Sequence, residues 1–256
     1  LCLAEYLDWR RYFDDWITVS DVAREAAHRA GDRSGEAMAW NNLGLSLREA
    51  GRMEEAVEAQ TRARDLYQAT GDSLGEVMAW NNLGLALEQI GRVEEAVEAH
   101  IRARDLHQTT GDRRREAMAW NNLGIALQKV GRVEEAVEAH IRARDLHQAT
   151  GDRHREAMAW NNLGIALELA GRVEEAITSY DKAAQLHQEA ANWYRAGETL
   201  GNLARAHEAA HRPADARAAW LQAADSYTQA GATEEAAAAQ ADANATDTAP
   251  PPPTLT

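Results

Sequence analysis

The chain has 256 residues, of which 45% are apolar and 27% charged, and its formal net charge is −14. This acidity disfavours nucleic acid as the main partner, because phosphate binding requires a concentrated positive field. The one cysteine, Cys2, excludes a disulfide framework and a cysteine-based zinc site, and no apolar run approaches the roughly 20 residues of a membrane span.

The N-terminal residues are expected to form an incomplete helix pair. Residues 13–17 align with residues 53–57, and the dipeptide Gly31-Asp32 aligns with Gly71-Asp72. By this alignment Leu1 falls inside the first helix of a repeat. We therefore expect residues 1–32 to be a truncated helix pair, and the chain to be a C-terminal piece of a longer protein.

A Trp-Asn-Asn-Leu-Gly motif recurs at a spacing of 40 residues, beginning at Trp40, Trp80, Trp120 and Trp160. Each unit is predicted to contain two helices. The first ends at a Gly-Arg pair, because glycine suits the left-handed position after a helix. The second begins at a Glu-Glu pair, where carboxylates stabilise a helix N-terminus, and ends at a Gly-Asp pair. The predicted repeats span residues 33–72, 73–112, 113–152 and 153–192.

The repeats continue in weaker form towards the C-terminus. Residues 202–204 lie 40 positions after residues 162–164, and Pro213 falls in the first turn of the following helix, where proline is tolerated. These features predict a degenerate repeat over 193–231. The alanine-rich segment 232–243 is predicted to be a capping helix, and residues 244–256, which contain a run of four prolines, a disordered tail.

Apolar residues within each unit follow one helix face, and one such hairpin can bury its apolar faces only by stacking on neighbours. The pattern Trp-x-x-Leu-Gly-x-x-Leu, followed by two alanines seven residues apart, resembles the tetratricopeptide repeat. The matching residues in one unit are Trp80, Leu83, Gly84, Leu87, Ala96 and Ala103. The long period is similar to that of kinesin light chain and Pins-type adaptors. The resemblance implies an all-α, right-handed superhelical solenoid of antiparallel helix pairs, with the motif tryptophans in the core.

No catalytic constellation is visible, and we expect neither enzymatic activity nor a cofactor. The histidines are the weak candidates, because they recur at the repeat spacing at 100 and 140 and at 107, 147 and 187. Zinc ligands lie about 2.1 Å from one ion, whereas equivalent residues of stacked helices are roughly 8–10 Å apart. We therefore expect no metal site, and His107 near the surface.

The motif asparagines are the candidate ligand contacts, because asparagine is a mediocre residue for a helix interior. In the adaptors that the chain resembles, asparagines of the first helices bind the backbone of an extended peptide on the concave side. Asparagine suits this role because it both donates and accepts. The candidates are a first column (Asn41, Asn81, Asn121, Asn161), a second column (Asn42, Asn82, Asn122, Asn162, Asn202) and the neighbouring Met78, Met118, Leu85 and Ile125. For the second column, bracing of the neighbouring repeat is an equal alternative.

These residues predict a cytoplasmic scaffold that binds a protein or peptide. A carboxylate clamp of the co-chaperone type is not expected, because Met78, Asn81 and Leu85 stand where that clamp has Lys and Arg. The chain also resembles repeat arrays of actinobacterial NB-ARC-type ATPases and SARP activators. That resemblance implies a sensor that binds a partner or restrains an effector domain of the same protein. The alternative is a self-assembling module whose exposed repeat ends form a homo-oligomer.

Overall fold

The computed structural model describes residues 12–248, which consist of α-helices and the short turns between them. The helices are α1 (Phe13–Ala30), α2 (Arg33–Glu49), α3 (Met53–Thr70), α4 (Ser73–Gln89), α5 (Val93–Thr110), α6 (Arg113–Lys129), α7 (Val133–Thr150), α8 (Arg153–Leu169), α9 (Val173–Glu189), α10 (Trp193–Ala209), α11 (Pro213–Gln229) and α12 (Thr233–Thr248). The predicted all-α architecture of helix pairs is confirmed. The expected helix over residues 1–11 lies outside the described residues.

The helices belong to two compact units. Unit 1 extends to Val130 and contains α1–α6, and unit 2 starts at Gly131 and contains α7–α12. Within each unit, helices that are consecutive in the chain pack together. We refer to α2, α4, α6, α8 and α10 as the first helices, and to α1, α3, α5, α7, α9 and α11 as the second helices.

Glycine and aspartate set the helix boundaries, as the repeat pattern predicts. Gly71 ends α3 with φ of 74° and Gly111 ends α5 with φ of 69°, in the left-handed region that other residues rarely adopt. The next residue, Asp72, then caps α4, because its Oδ1 accepts a hydrogen bond from the Gly75 N–H at 3.0 Å. This aspartate cap repeats at the start of α2, α6 and α8.

The core of each pair is built from leucine and alanine. Leu83 and Leu87 of α4 contact Ala96 and Ala99 of α5, and all of them are buried. Small alanines let the two helices approach closely, so that the leucines fill the remaining space at close to crystalline density. The packing therefore depends on a few large residues between many small ones.

The motif tryptophans are half-buried, and this differs from the fully core position that the resemblance implies. Each ring packs against the core on one side and carries an arginine of the preceding second helix on the other. The distances from the guanidinium carbon to the ring centroid are 5.0 Å for Arg24 and Trp40, 4.6 Å for Arg64 and Trp80, 4.5 Å for Arg104 and Trp120, and 4.5 Å for Arg144 and Trp160. These contacts are cation–π interactions, and they hold successive second and first helices together.

The C-terminal helix is longer than the predicted cap over 232–243. Helix α12 continues to Thr248, so that residues 244–248, which the sequence pattern assigns to the tail, are helical. Ala239 and Ala243 are buried in its contact with α11. The proline run lies outside the described residues.

Two strained positions lie just before and within the degenerate repeat. Ala191 has φ of 52° and His211 has φ of 58°, at turns where the preceding repeat has Gly151 and Gly171. A left-handed conformation costs an L-residue roughly 1–2 kcal/mol, and glycine avoids this cost at some loss of entropy in the unfolded chain.

We predict that Ala191→Gly raises the free energy of unfolding by about 0.5–1 kcal/mol, because it removes the left-handed strain. The matched change Gly151→Ala should lower it by a similar amount, since it introduces the same strain one repeat earlier. Urea unfolding followed by circular dichroism measures both. A loss of stability in Ala191→Gly would contradict the prediction.

Candidate peptide-binding face

The first helices of unit 1 expose large apolar side chains on one side. Met38, Met78 and Met118 are 60%, 45% and 42% exposed. Seven residues after each methionine, and therefore on the same helix side, stands a half-buried aliphatic residue. We call these six residues the first-helix face: Met38, Met78, Met118, Leu45, Leu85 and Ile125.

The face is different in unit 2. Met158 of α8 is 37% exposed and Ile165 is half-buried, as in unit 1. In α10, however, the corresponding positions are Glu198 and Arg205. The apolar pattern is therefore repeated on three first helices of unit 1 and on one of unit 2.

The asparagine columns bond to each other between repeats. Asn82 Nδ2 donates to Asn41 Oδ1 at 3.0 Å, and Asn202 Nδ2 donates to Asn161 Oδ1 at the same distance. The second asparagine of one repeat thus pairs with the first asparagine of the repeat before it. This geometry corresponds to the bracing alternative, and it involves both columns rather than the second column alone.

Burial differs along the first column. The Asn41 side chain is closed to a ligand, because Asn41 is only 3% exposed and its backbone carbonyl also accepts from Gln60 Nε2 at 2.9 Å. Asn81 is half-buried, and its Oδ1 atom is buried without a hydrogen-bond partner. The remaining asparagines of the two columns are half-buried: Asn42, Asn82, Asn121, Asn122, Asn161, Asn162 and Asn202.

A buried polar contact at the end of α4 links three helices of unit 1. Glu88 Oε1 lies 2.9 Å from His100 Nε2 of α5, and Glu88 Oε2 accepts from Lys129 Nζ of α6 at 2.5 Å. Burial opposes ionisation of Glu88, but the hydrogen bonds from His100 and Lys129 outweigh it and lower the Glu88 pKa. The contact holds α6 beside α4 and fixes the end of the first-helix face.

Unit 2 repeats this arrangement with other donors. Tyr180 Oη donates to Glu168 Oε2 at 2.9 Å, and Trp220 Nε1 donates to Glu208 Oε1 at 2.9 Å. In each case the donor stands 12 residues after the carboxylate, as His100 does after Glu88. Sequence reasoning missed these pairs, although the regular 12-residue separation is visible in the sequence.

The repeated histidines are buried, and the expectation that His107 lies near the surface is wrong. His107 is 4% exposed and His147 is 2% exposed, while His100 and His140 are fully buried. They lie inside the helix pairs, because glycine, alanine and other small residues leave space there. Within residues 12–248, no group of three or more His, Cys, Asp or Glu side chains is arranged to hold a metal ion.

Burial also controls the ionisation of these histidines. It lowers the pKa of His140 to about 4, and neither His140 ring nitrogen has a hydrogen-bond partner in the described part of the chain. Burial, with smaller effects from His154 and Arg195, lowers the pKa of His187 to about 4. Both rings are therefore neutral inside the fold at neutral pH.

A family model supports the repeat assignment directly. The model of the tetratricopeptide repeat matches residues 35–109, 115–176 and 155–229. No curated protein sequence is significantly similar to this chain. None of the helices described over 12–248 is both long and apolar enough to cross a membrane.

Solved structures of helical repeat proteins share the fold. A signal transduction ATPase with a tetratricopeptide repeat sensor, from Pyrococcus horikoshii, has a TM-score of 0.74 at 14% identity over 95% of this chain and 40% of that one. A putative kinesin light chain from Podospora anserina has a TM-score of 0.56 at 19% identity over 84% and 96% of the two chains. A Rap protein complexed with Competence and Sporulation Factor has a TM-score of 0.61 at 15% identity over 95% and 72%.

We predict that the free energy of unfolding falls as the pH is lowered from about 6.5 to about 4. Unfolding raises the His140 pKa from about 4 to its ordinary value, so the unfolded state binds an extra proton in this range and is favoured. The contribution of His140 to the free energy of unfolding is fully present above pH 6.5, and about 3 kcal/mol of it is lost by pH 4.

The variant His140→Phe isolates this effect, because it keeps an aromatic ring and removes the titrating group. Urea unfolding at several pH values should show a shallower pH dependence for the variant than for the unchanged chain. Identical slopes would mean that His140 does not titrate on unfolding in this range.

Proposed function

Because this chain belongs to the tetratricopeptide repeat family, we propose that it is a protein-interaction module whose first-helix face binds an extended segment of a partner protein. The observation that carries the proposal is the recurrence of an exposed methionine on neighbouring first helices, at Met38, Met78 and Met118. Single exposed apolar residues are common on protein surfaces, but an aligned set marks an interaction site.

The chemistry of the face suits side-chain recognition. Methionine is flexible and polarisable, so it adapts to apolar side chains of different shape. Leu85 and Ile125 are branched and half-buried, and they would form the more rigid floor beside the methionines. The face would therefore bind apolar side chains of a partner without requiring one unique shape.

The asparagines would have different roles at different positions of the array. Where two asparagines already bond to each other, a peptide that binds Asn41 or Asn161 must first replace the hydrogen bond from Asn82 or Asn202. Such an exchange gains little, because one amide hydrogen bond replaces another. Bracing is thus our proposed role for these asparagines, while Asn81 and Asn122 remain candidate contacts with the ligand backbone.

The similar proteins support a sensor role. One is described as a signal transduction ATPase with a repeat sensor, and another was solved with a factor bound. We propose by analogy that this array is the sensing part of a larger cytoplasmic signalling protein, and that its ligand is a partner protein or another domain of the same protein.

The test is selection of binding peptides from a random 12-residue library, followed by affinity measurement by fluorescence anisotropy. We expect the double variant Met78→Ser/Met118→Ser to bind a selected peptide at least about tenfold more weakly, because two apolar contacts are lost. Both side chains are exposed, so the fold should be unaffected, and thermal unfolding checks this.

Val22→Ser is the matched control, because Val22 is 62% exposed on a second helix, away from the face. Equal binding by the double variant and the control would refute the proposal. Light scattering over a concentration series tests whether the partner is a second copy of this chain. If the chain self-associates and the double variant does not, the same face mediates self-assembly.

A further inference from the structure

Two acidic side chains at the ends of first helices in unit 1 are paired with basic side chains. Glu88 is buried between His100 and Lys129. Glu49, at the end of α2, accepts from Arg48 at 2.7 Å. These two carboxylates therefore add little free negative charge at this end of the face, although the whole chain carries a net charge of −14.

The start of α6, by contrast, carries exposed positive charge. Arg113, Arg114 and Arg115 are consecutive and exposed. Arg115 donates to Asp112 Oδ2 at 2.9 Å. Among the described residues, no carboxylate lies within ion-pair distance of Arg113 or Arg114. Two cationic groups thus remain uncompensated at this end of the helix.

Arg114 lies on the same side of α6 as the first-helix face. It precedes Met118 by four residues, one helical turn, as the exposed Leu74 precedes Met78 in α4. From α4 to α6, this edge of the face therefore changes from an apolar side chain to an unpaired guanidinium. That change gives two otherwise similar repeats a different surface chemistry at this position.

We infer that the bound segment combines apolar side chains over Met78 and Met118 with a carboxylate that pairs with Arg114. This inference rests on the proposed function. An arginine guanidinium matches a carboxylate through two parallel hydrogen bonds, which gives the contact direction as well as attraction. Because the equivalent position in α4 is the apolar Leu74, the pair would also fix the register of the segment.

The spacing of the segment follows from the spacing of the helices. Packed helices lie roughly 8–10 Å apart, and a segment in the extended polyproline-II conformation advances about 3.1 Å per residue with three residues per turn, so that every third side chain points to the same side. Apolar residues about three positions apart would therefore reach successive first helices. The partner is thus expected to contain an apolar residue at about every third position, with Asp or Glu next to the one that contacts Met118.

The experiment uses three synthetic 12-residue peptides with leucine at every third position, Gly and Ser elsewhere, and Asp, Asn or Lys at the position before the third leucine. Fluorescence anisotropy gives their affinities for the unchanged chain at low and high salt. We expect the Asp peptide to bind about tenfold more tightly than the Lys peptide, and the difference to shrink at high salt because salt screens exposed charges.

Two charge reversals test the assignment. Arg114→Glu should abolish the preference for Asp, whereas Arg102→Glu, at an exposed arginine of the second helix α5, should preserve it. Persistence of the preference in Arg114→Glu would overturn the assignment to Arg114.

The outcomes separate this inference from the proposed function. Equal binding of the three peptides, lost in Met78→Ser/Met118→Ser, would overturn the carboxylate contact and support the face as a binding site. Failure of all three peptides to bind, together with failure to select any peptide from the library, would overturn both.

Discussion

Close contact between the helices of a pair depends on a glycine in the first helix. A Cβ atom on Gly84 would lie 2.6 Å from the His100 ring, and one on Gly164 would lie 2.6 Å from the Tyr180 ring. Such distances are shorter than any van der Waals contact, so only glycine lets the second helix place a large ring there. The depth of the ring then fixes which polar group of the first helix it can reach.

Several buried polar groups consequently bond within the array. His100 and Tyr180 reach carboxylates of their own first helices, and Asn82 reaches Asn41 of the preceding repeat. A buried polar group without a partner is costly, so these bonds stabilise the contacts between the helices that they join. Side chains that face solvent on the first helices are free of this requirement, and in unit 1 they include an exposed methionine on each first helix.

The sequence predicts the helices well because their boundaries are local. Glycine after the second helices α1, α3, α5 and α7 and aspartate at the start of the helix that follows each of them need no tertiary information. Contacts between helices were predicted less well, because they depend on helix rotation, which periodicity does not determine. Knowledge of that rotation is needed to predict the Asn41–Asn82 bond, the arginines over the tryptophans and the burial of His107. The length of α12 was underestimated because its alanine-rich pattern has no clear stop signal.

The separation between bracing residues and exposed residues explains how near-identical repeats can acquire different specificity. The position one turn before each motif methionine is Ser34, Leu74, Arg114 and His154 in successive repeats. These side chains have no role in the buried hydrogen bonds, so substitution there changes mainly the surface, although the His154 ring also contacts the His187 ring. Duplication would preserve the glycine, alanine and asparagine frame, while this position diverges. A ligand that spans several repeats would then be identified by its order of apolar and charged residues rather than by any single pocket.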